Sequence, residues 1–126
     1  PMGDRELPGI AAEDIGKCAY GVFRTGDELI GKTVGIAGEH VTGADMAKGL
    51  SDAIGEEVGY FAVPFDMYRS FDFPGAEDLG NMFQVKHDFN EAFRAARNVE
   101  FAKRLNPELQ DFRSWLAKNG EKIPRH

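Results

Sequence analysis

A chain of 126 residues is enough for one domain with a core of its own. Its 15 Lys and Arg against 21 Asp and Glu give a formal charge of -6, which argues against direct nucleic-acid binding, since that needs clustered positive charge. The single cysteine, Cys18, allows neither an internal disulfide nor a CxxC site, and no apolar run approaches the roughly 20 residues that span a bilayer, so a cytoplasmic protein with no membrane partner is expected.

Pro1 precedes Met2, which places the expected natural start upstream, although a removed tag or a processed terminus would leave the same residue. The stretch AAEDIGKCAYGVFRTG sets Ile15, Cys18, Ala19, Val22 and Phe23 at i, i+3, i+4, i+7 and i+8, the stripe of a helix over residues 13–24, with Gly26 beyond its end. KTVGIAG lacks clean alternation and suits a strand buried on both faces. VTGADMAKGLSDAIG follows as a helix, with Thr42 and Asp45 in capping-box spacing, Met46, Leu50 and Ile54 on one side, and Gly55 as its stop. EEVGYFAVP reads as a second strand, stopped by Pro64, so strand, helix and strand predict one parallel βαβ unit with a right-handed connection.

The rest is helical. PFDMYRSF predicts a short helix with Pro64 in its first turn, and FPGAEDLGNMFQVKHDF a further one with Leu79, Met82 and Phe83 on one face. NEAFRAARNVEFAKRL is compatible with one helix or two and is broken at Asn106-Pro107. DFRSWLAKNG predicts a last helix with Asp111 as N-cap, Phe112, Trp115 and Leu116 as its buried face, and Gly120 as its end. Two parallel strands are almost never free-standing. The first helix and the βαβ unit are therefore expected to lie against a larger sheet encoded before residue 1, or against another copy of the chain that covers Ile15, Val22 and Phe23.

Several motifs carry the letters of a chemistry without its context. GDELIGKT, Gly26 to Thr33, spells a phosphate loop, but a helix precedes it, a strand is expected after it, and Asp27 and Glu28 would stand inside the cradle. VGIAGEHVTG has its glycines at 35, 38 and 43 rather than at dinucleotide spacing, and Glu39 stands where a pyrophosphate would approach. His40, His87 and His126 share no ligand spacing and read as surface or polar-edge residues, and no metal is expected. Tyr20, Tyr60 and Tyr68 are followed four residues on by Arg24, Pro64 and Asp72, so no Tyr-x-x-x-Lys pair exists, and no catalytic residue is assigned. Around the Pro-Gly bend of FDFPGAEDLGNMFQV, large apolar side chains can fill a core or line a pocket; Met2, Met82 and Phe83 are the candidate pocket wall. Gly80, inside a helix at a cost of about 1 kcal/mol relative to Ala, predicts a close neighbour.

LPGIAAEDIGKCAYGVF, IGKTVGIAGEHVTGADMAKGL and FPGAEDLGNMFQV, closing in RLNPELQDFRSWLAKN, together resemble the C-terminal half of NmrA-like proteins, atypical short-chain dehydrogenase relatives. The resemblance covers nearly the whole chain, in order. It implies an α/β fold, the C-terminal lobe of an extended Rossmann architecture lacking the N-terminal dinucleotide-binding half, with residues 1–126 as the substrate or effector lobe. It implies NADP(H) or NAD(H) as cofactor of the whole protein, none being expected on this lobe alone. It further implies a redox-sensing regulator that meets its N-terminal Rossmann half, another copy or a regulatory protein; the alternatives are the pocket-forming lobe of an NAD(P)H-dependent reductase of quinones or similar carbonyl compounds, and a stand-alone interaction module.

Overall fold

The computed structural model describes residues 1–125; His126 lies outside them. Two short strands and seven helices follow in the order β1 (Leu7–Gly9), α1 (Ala12–Thr25), β2 (Glu39–Val41), α2 (Gly43–Ile54), α3 (Phe65–Arg69), α4 (Ala76–Asp88), α5 (Asn90–Ala95), α6 (Val99–Leu105) and α7 (Phe112–Asn119), with 3-10 turns at Gly26–Leu29 and Gly120–Lys122. The expected parallel βαβ unit is corrected. Among the described residues the sheet has two antiparallel strands, β1 on β2, with Leu7 opposite Val41 and Gly9 opposite Glu39.

The two segments that predicted the parallel strands have no regular secondary structure and join no ladder among the described residues. In the first, Val34 and Ile36 point the same way at period two and pack on the cluster of Cys18, Ala102 and Leu105, while Gly35 lies against the Ala96 carbonyl. Apolar β-branched residues there satisfy a helix surface instead of a neighbouring strand. In the second, the Val58 N–H donates to the Ser51 hydroxyl at 2.8 Å, and the Tyr60 hydroxyl donates to the Gly3 carbonyl at 3.1 Å. Pro8, which has no N–H to give, keeps the real sheet short.

Helix boundaries follow the local signals. Thr42 Oγ1 accepts from the Asp45 N–H at 3.1 Å and starts α2; Gly55 ends it in the left-handed region at φ 73°. Asn98 caps α6 by accepting from the Phe101 N–H at 2.9 Å, which splits NEAFRAARNVEFAKRL into two helices. Gly80 of α4 faces the Arg69 side chain, whose guanidinium reaches Asn81, Gln84 and Asp66 and locks α3 onto α4.

The packing of α1 decides the core. Its buried residues are Asp14, Cys18 and Gly21, which face α6, whereas Ile15 and Phe23 of the expected stripe remain 49% and 82% exposed. A Cβ on Gly21 would stand 2.7 Å from the Leu105 carbonyl carbon, so only glycine lets the two backbones approach this closely. Cys18 fills the space between them, and burial, assisted by the Asp14 charge, pushes its thiol pKa up. No helix among the described residues is long and apolar enough to cross a membrane.

Two glycines of α1 separate packing from propensity. Gly21→Ala forces α1 from α6 and should lower unfolding free energy by about 1–3 kcal/mol. Gly16→Ala, where a Cβ would meet nothing within 4 Å, should raise it by up to about 1 kcal/mol. Urea midpoints of the two variants against the parent chain check both signs.

Candidate functional site

Pro107 cannot continue α6, and the chain turns through residues 106–110 before α7 begins. That turn is held by a buried carboxylate from the start of α1. Asp14 Oδ2 accepts from the Gln110 N–H at 2.8 Å and from its side-chain amide at 3.4 Å, and Oδ1 accepts from the Asn106 amide at 3.3 Å. Asp14 is fully buried and Asn106 and Gln110 nearly so, an arrangement tolerable because every buried side-chain polar atom among the described residues has a partner. The Gln110 amide also donates to Glu13 Oε1 at 3.0 Å, and its oxygen accepts from Lys118 at 3.3 Å.

Beside this network lies a cavity of about 410 Å³, the size range of small-molecule sites. The end of β1 and the start of α1 form one wall with Ile10, Ala11 and Ala12; Val41 of β2 and Met46 of α2 form a second; Phe112 and Trp115 of α7 form the third. Three carboxylates, Glu13, Glu39 and Asp111, complete the lining with Gln110. Glu39 Oε2 accepts from the Phe112 N–H at 2.8 Å and Asp111 Oδ1 from the Ser114 N–H at 2.7 Å, so the first turn of α7 carries two carboxylate caps. The Gln110 amide holds the Glu13 carboxyl below its ordinary pKa, and hydrogen bonding with Ser114 does the same for Asp111. Both are ionised at neutral pH.

The candidate wall residues lie elsewhere. Met2 is buried under the N-terminal turn, with its carbonyl accepting from the Arg5 N–H. Met82 and Phe83 sit half-buried on α4, where the Phe83 ring stands edge-on to Tyr68 at 5.4 Å. Tyr68 also gathers Phe71 and Phe73 at 5.5 and 5.9 Å, and those two rings line a more polar cavity of about 560 Å³ with Arg69, Glu77, Asp78 and Asn81. His40 Nε2 lies 2.8 Å from the Arg97 carbonyl, and His87 Nδ1 lies 3.0 Å from Asp88, both partly covered polar edges. No group of three or more potential metal ligands occurs among the described residues.

The phosphate-loop string runs from the end of α1 through a 3-10 turn into a segment without regular secondary structure, not from strand through loop to helix. Nor do the cavity's residues fit a dinucleotide. A pyrophosphate needs free N–H groups or cations, and the α7 N-terminus is already occupied by Glu39 and Asp111. Sequence reasoning placed Phe112 and Trp115 in a buried face, whereas both are half-buried and look into the cavity. The carboxylates carried a signal: Asp111 as an N-cap, and Glu39 as a negative charge at a strand-to-helix turn.

Among known families, the model of the NmrA-like family matches residues 1–116.

Removing the Asp14 carboxylate strands the Gln110 N–H and the Asn106 amide, each at a cost of about 1–3 kcal/mol. Asp14→Ala should therefore lower the urea midpoint markedly. Because the 106–110 turn leads into α7, the variant should also shift the native emission of Trp115, the sole tryptophan. An unchanged midpoint and spectrum would show that the network is dispensable.

Proposed function

Since the chain belongs to the NmrA-like family, whose members generally bind NAD(P), we propose that it is the effector-binding C-terminal lobe of an NAD(P)-binding, redox-sensing regulator. The observation that carries this reading is the apolar cavity beside α7, with Trp115 and Phe112 on its wall and Asp14 fixing its edge. A small effector there touches α1, β2, α2 and α7 together, so its binding is coupled to how those elements pack.

NADP(H) or NAD(H) is then held by a dinucleotide-binding half that completes the protein, because the residues here do not accommodate its pyrophosphate. The role of this chain is to offer the second surface. Ile15, Tyr20, Phe23, Ile30 and Phe61 are 49%, 65%, 82%, 74% and 69% exposed. Burying one such side chain is worth about 1.5–3 kcal/mol, against a whole-domain stability of about 5–15, which favours a covered state with that half, with another copy, or with a regulatory protein.

Isothermal titration of the protein containing this lobe and its dinucleotide-binding half should show saturable binding of NADPH and NADP with different affinities. No measurable binding of either removes the proposal. Steady NADPH oxidation in the presence of a quinone would instead make the chain the pocket-forming lobe of a reductase.

A further inference from the structure

The cavity beside α7 has a charge preference. Its apolar wall is Ile10, Val41, Met46, Phe112 and Trp115, and its charged lining residues are all carboxylates: Glu13, Glu39 and Asp111. Lys118 donates to the Gln110 side-chain oxygen, and it and Lys17 act on Glu13, as Lys103 and Arg113 do on Asp111, but none of the four is on the wall. Each carboxylate commits one oxygen to the fold, to the Gln110 amide, the Phe112 N–H or the Ser114 N–H. These bonds fix the three groups in place, and those to Glu13 and Asp111 also favour their charged forms.

We propose that this cavity binds an organic ammonium, a small apolar body carrying one cationic amine. The inference deepens the reading of the cavity as an effector site and rests on it. The apolar body displaces water from Ile10, Met46 and Phe112, and the ammonium sits among the carboxylates within reach of the Trp115 ring, which attracts a cation on its face. A neutral guest of the same shape forgoes the ionic contact, and an anionic guest is repelled by three like charges.

Trp115 is the only tryptophan, so its emission reports on the cavity directly. Titration of the chain with phenethylammonium should give a saturable change. Binding should be about tenfold tighter than that of 2-phenylethanol, with 3-phenylpropanoate weaker still, and should weaken as salt rises from about 0.05 to 0.5 M. Glu13→Gln should reduce the amine-to-alcohol affinity ratio about 2–5-fold, the scale of one exposed ion pair. Glu13 is exposed and its replacement can still accept from Gln110, so an unchanged urea midpoint confirms that the variant is folded. The inference is overturned by equal affinity for amine and alcohol, by preference for the carboxylate, by an unaltered ratio in the variant, or by no response to any probe. Emission that changes on dilution without ligand also overturns it, since a second copy would then occupy the cavity. NADPH binding to the longer protein with no amine response removes this inference alone; amine binding without NADPH binding removes the regulatory reading instead.

Discussion

The arrangement depends on a buried carboxylate with too many obligations to move. Asp14 is fully enclosed and accepts from Asn106 and Gln110, more than ninety residues along the chain. A carboxylate leaves water only where fixed donors replace it, so the first turn of α1 and the turn after α6 are positioned together or not at all. Everything around the cavity follows from that juxtaposition. α7 starts directly after Gln110, its Phe112 N–H meets Glu39 of β2, and β2 in turn pairs with β1, which leads back into α1. The wall of the cavity is a closed circuit, joined by the Asp14 and Glu39 carboxylates and by the β1–β2 ladder.

Helices were legible because their ends are written locally. Thr42, Asp111, Gly55 and Pro64 stand where the structure places a cap, a cap, a left-handed stop and a helix start. Strands were not, because a strand is defined by a partner that local pattern cannot name. Val34 and Ile36 have the residue types of a buried strand and are buried, yet against Cys18 and Leu105 of two helices. LPG and EHV, three residues each and one containing proline, have no such pattern and form the sheet. The face of α1 that packs inside the chain was hidden for a related reason, although Cys18 and Val22 of the expected stripe do reach the core. Apolarity favoured Ile15 and Phe23, but the approach to α6 is set by the absence of a side chain at Gly21 and by the anchoring of Asp14.

The site divides in the same way. The ordered resemblance in the EDIG, FPGA and WL segments led to a family whose model does match residues 1–116. The individual pocket did not follow from it. Met82 and Phe83 attract attention beside a Pro-Gly bend, but they share α4 with residues that pack on α3, through Gly80 on Arg69 and Phe83 on Tyr68. Trp115 and Phe112 were visible as one face of a helix, and periodicity alone cannot separate a filled face from one that borders a void. That distinction needs the position of β2, which the sequence pattern set one segment too early.

The two caps on α7 show how a stability device restricts chemistry. A helix start with open N–H groups attracts anions. Here Glu39 and Asp111 each take one of those N–H groups, which secures α7 and sets negative charge where an anion would bind. A phosphate beside Trp115 meets two carboxylates where a bare helix start would have drawn it in. Under the proposed division of roles this has a consequence for the whole protein: the dinucleotide is confined to the other half, and the cavity of this lobe is reserved for a guest of opposite charge. One pair of carboxylates thus serves folding and discrimination at once, because the hydrogen bonds that cap α7 also place both groups on the cavity wall.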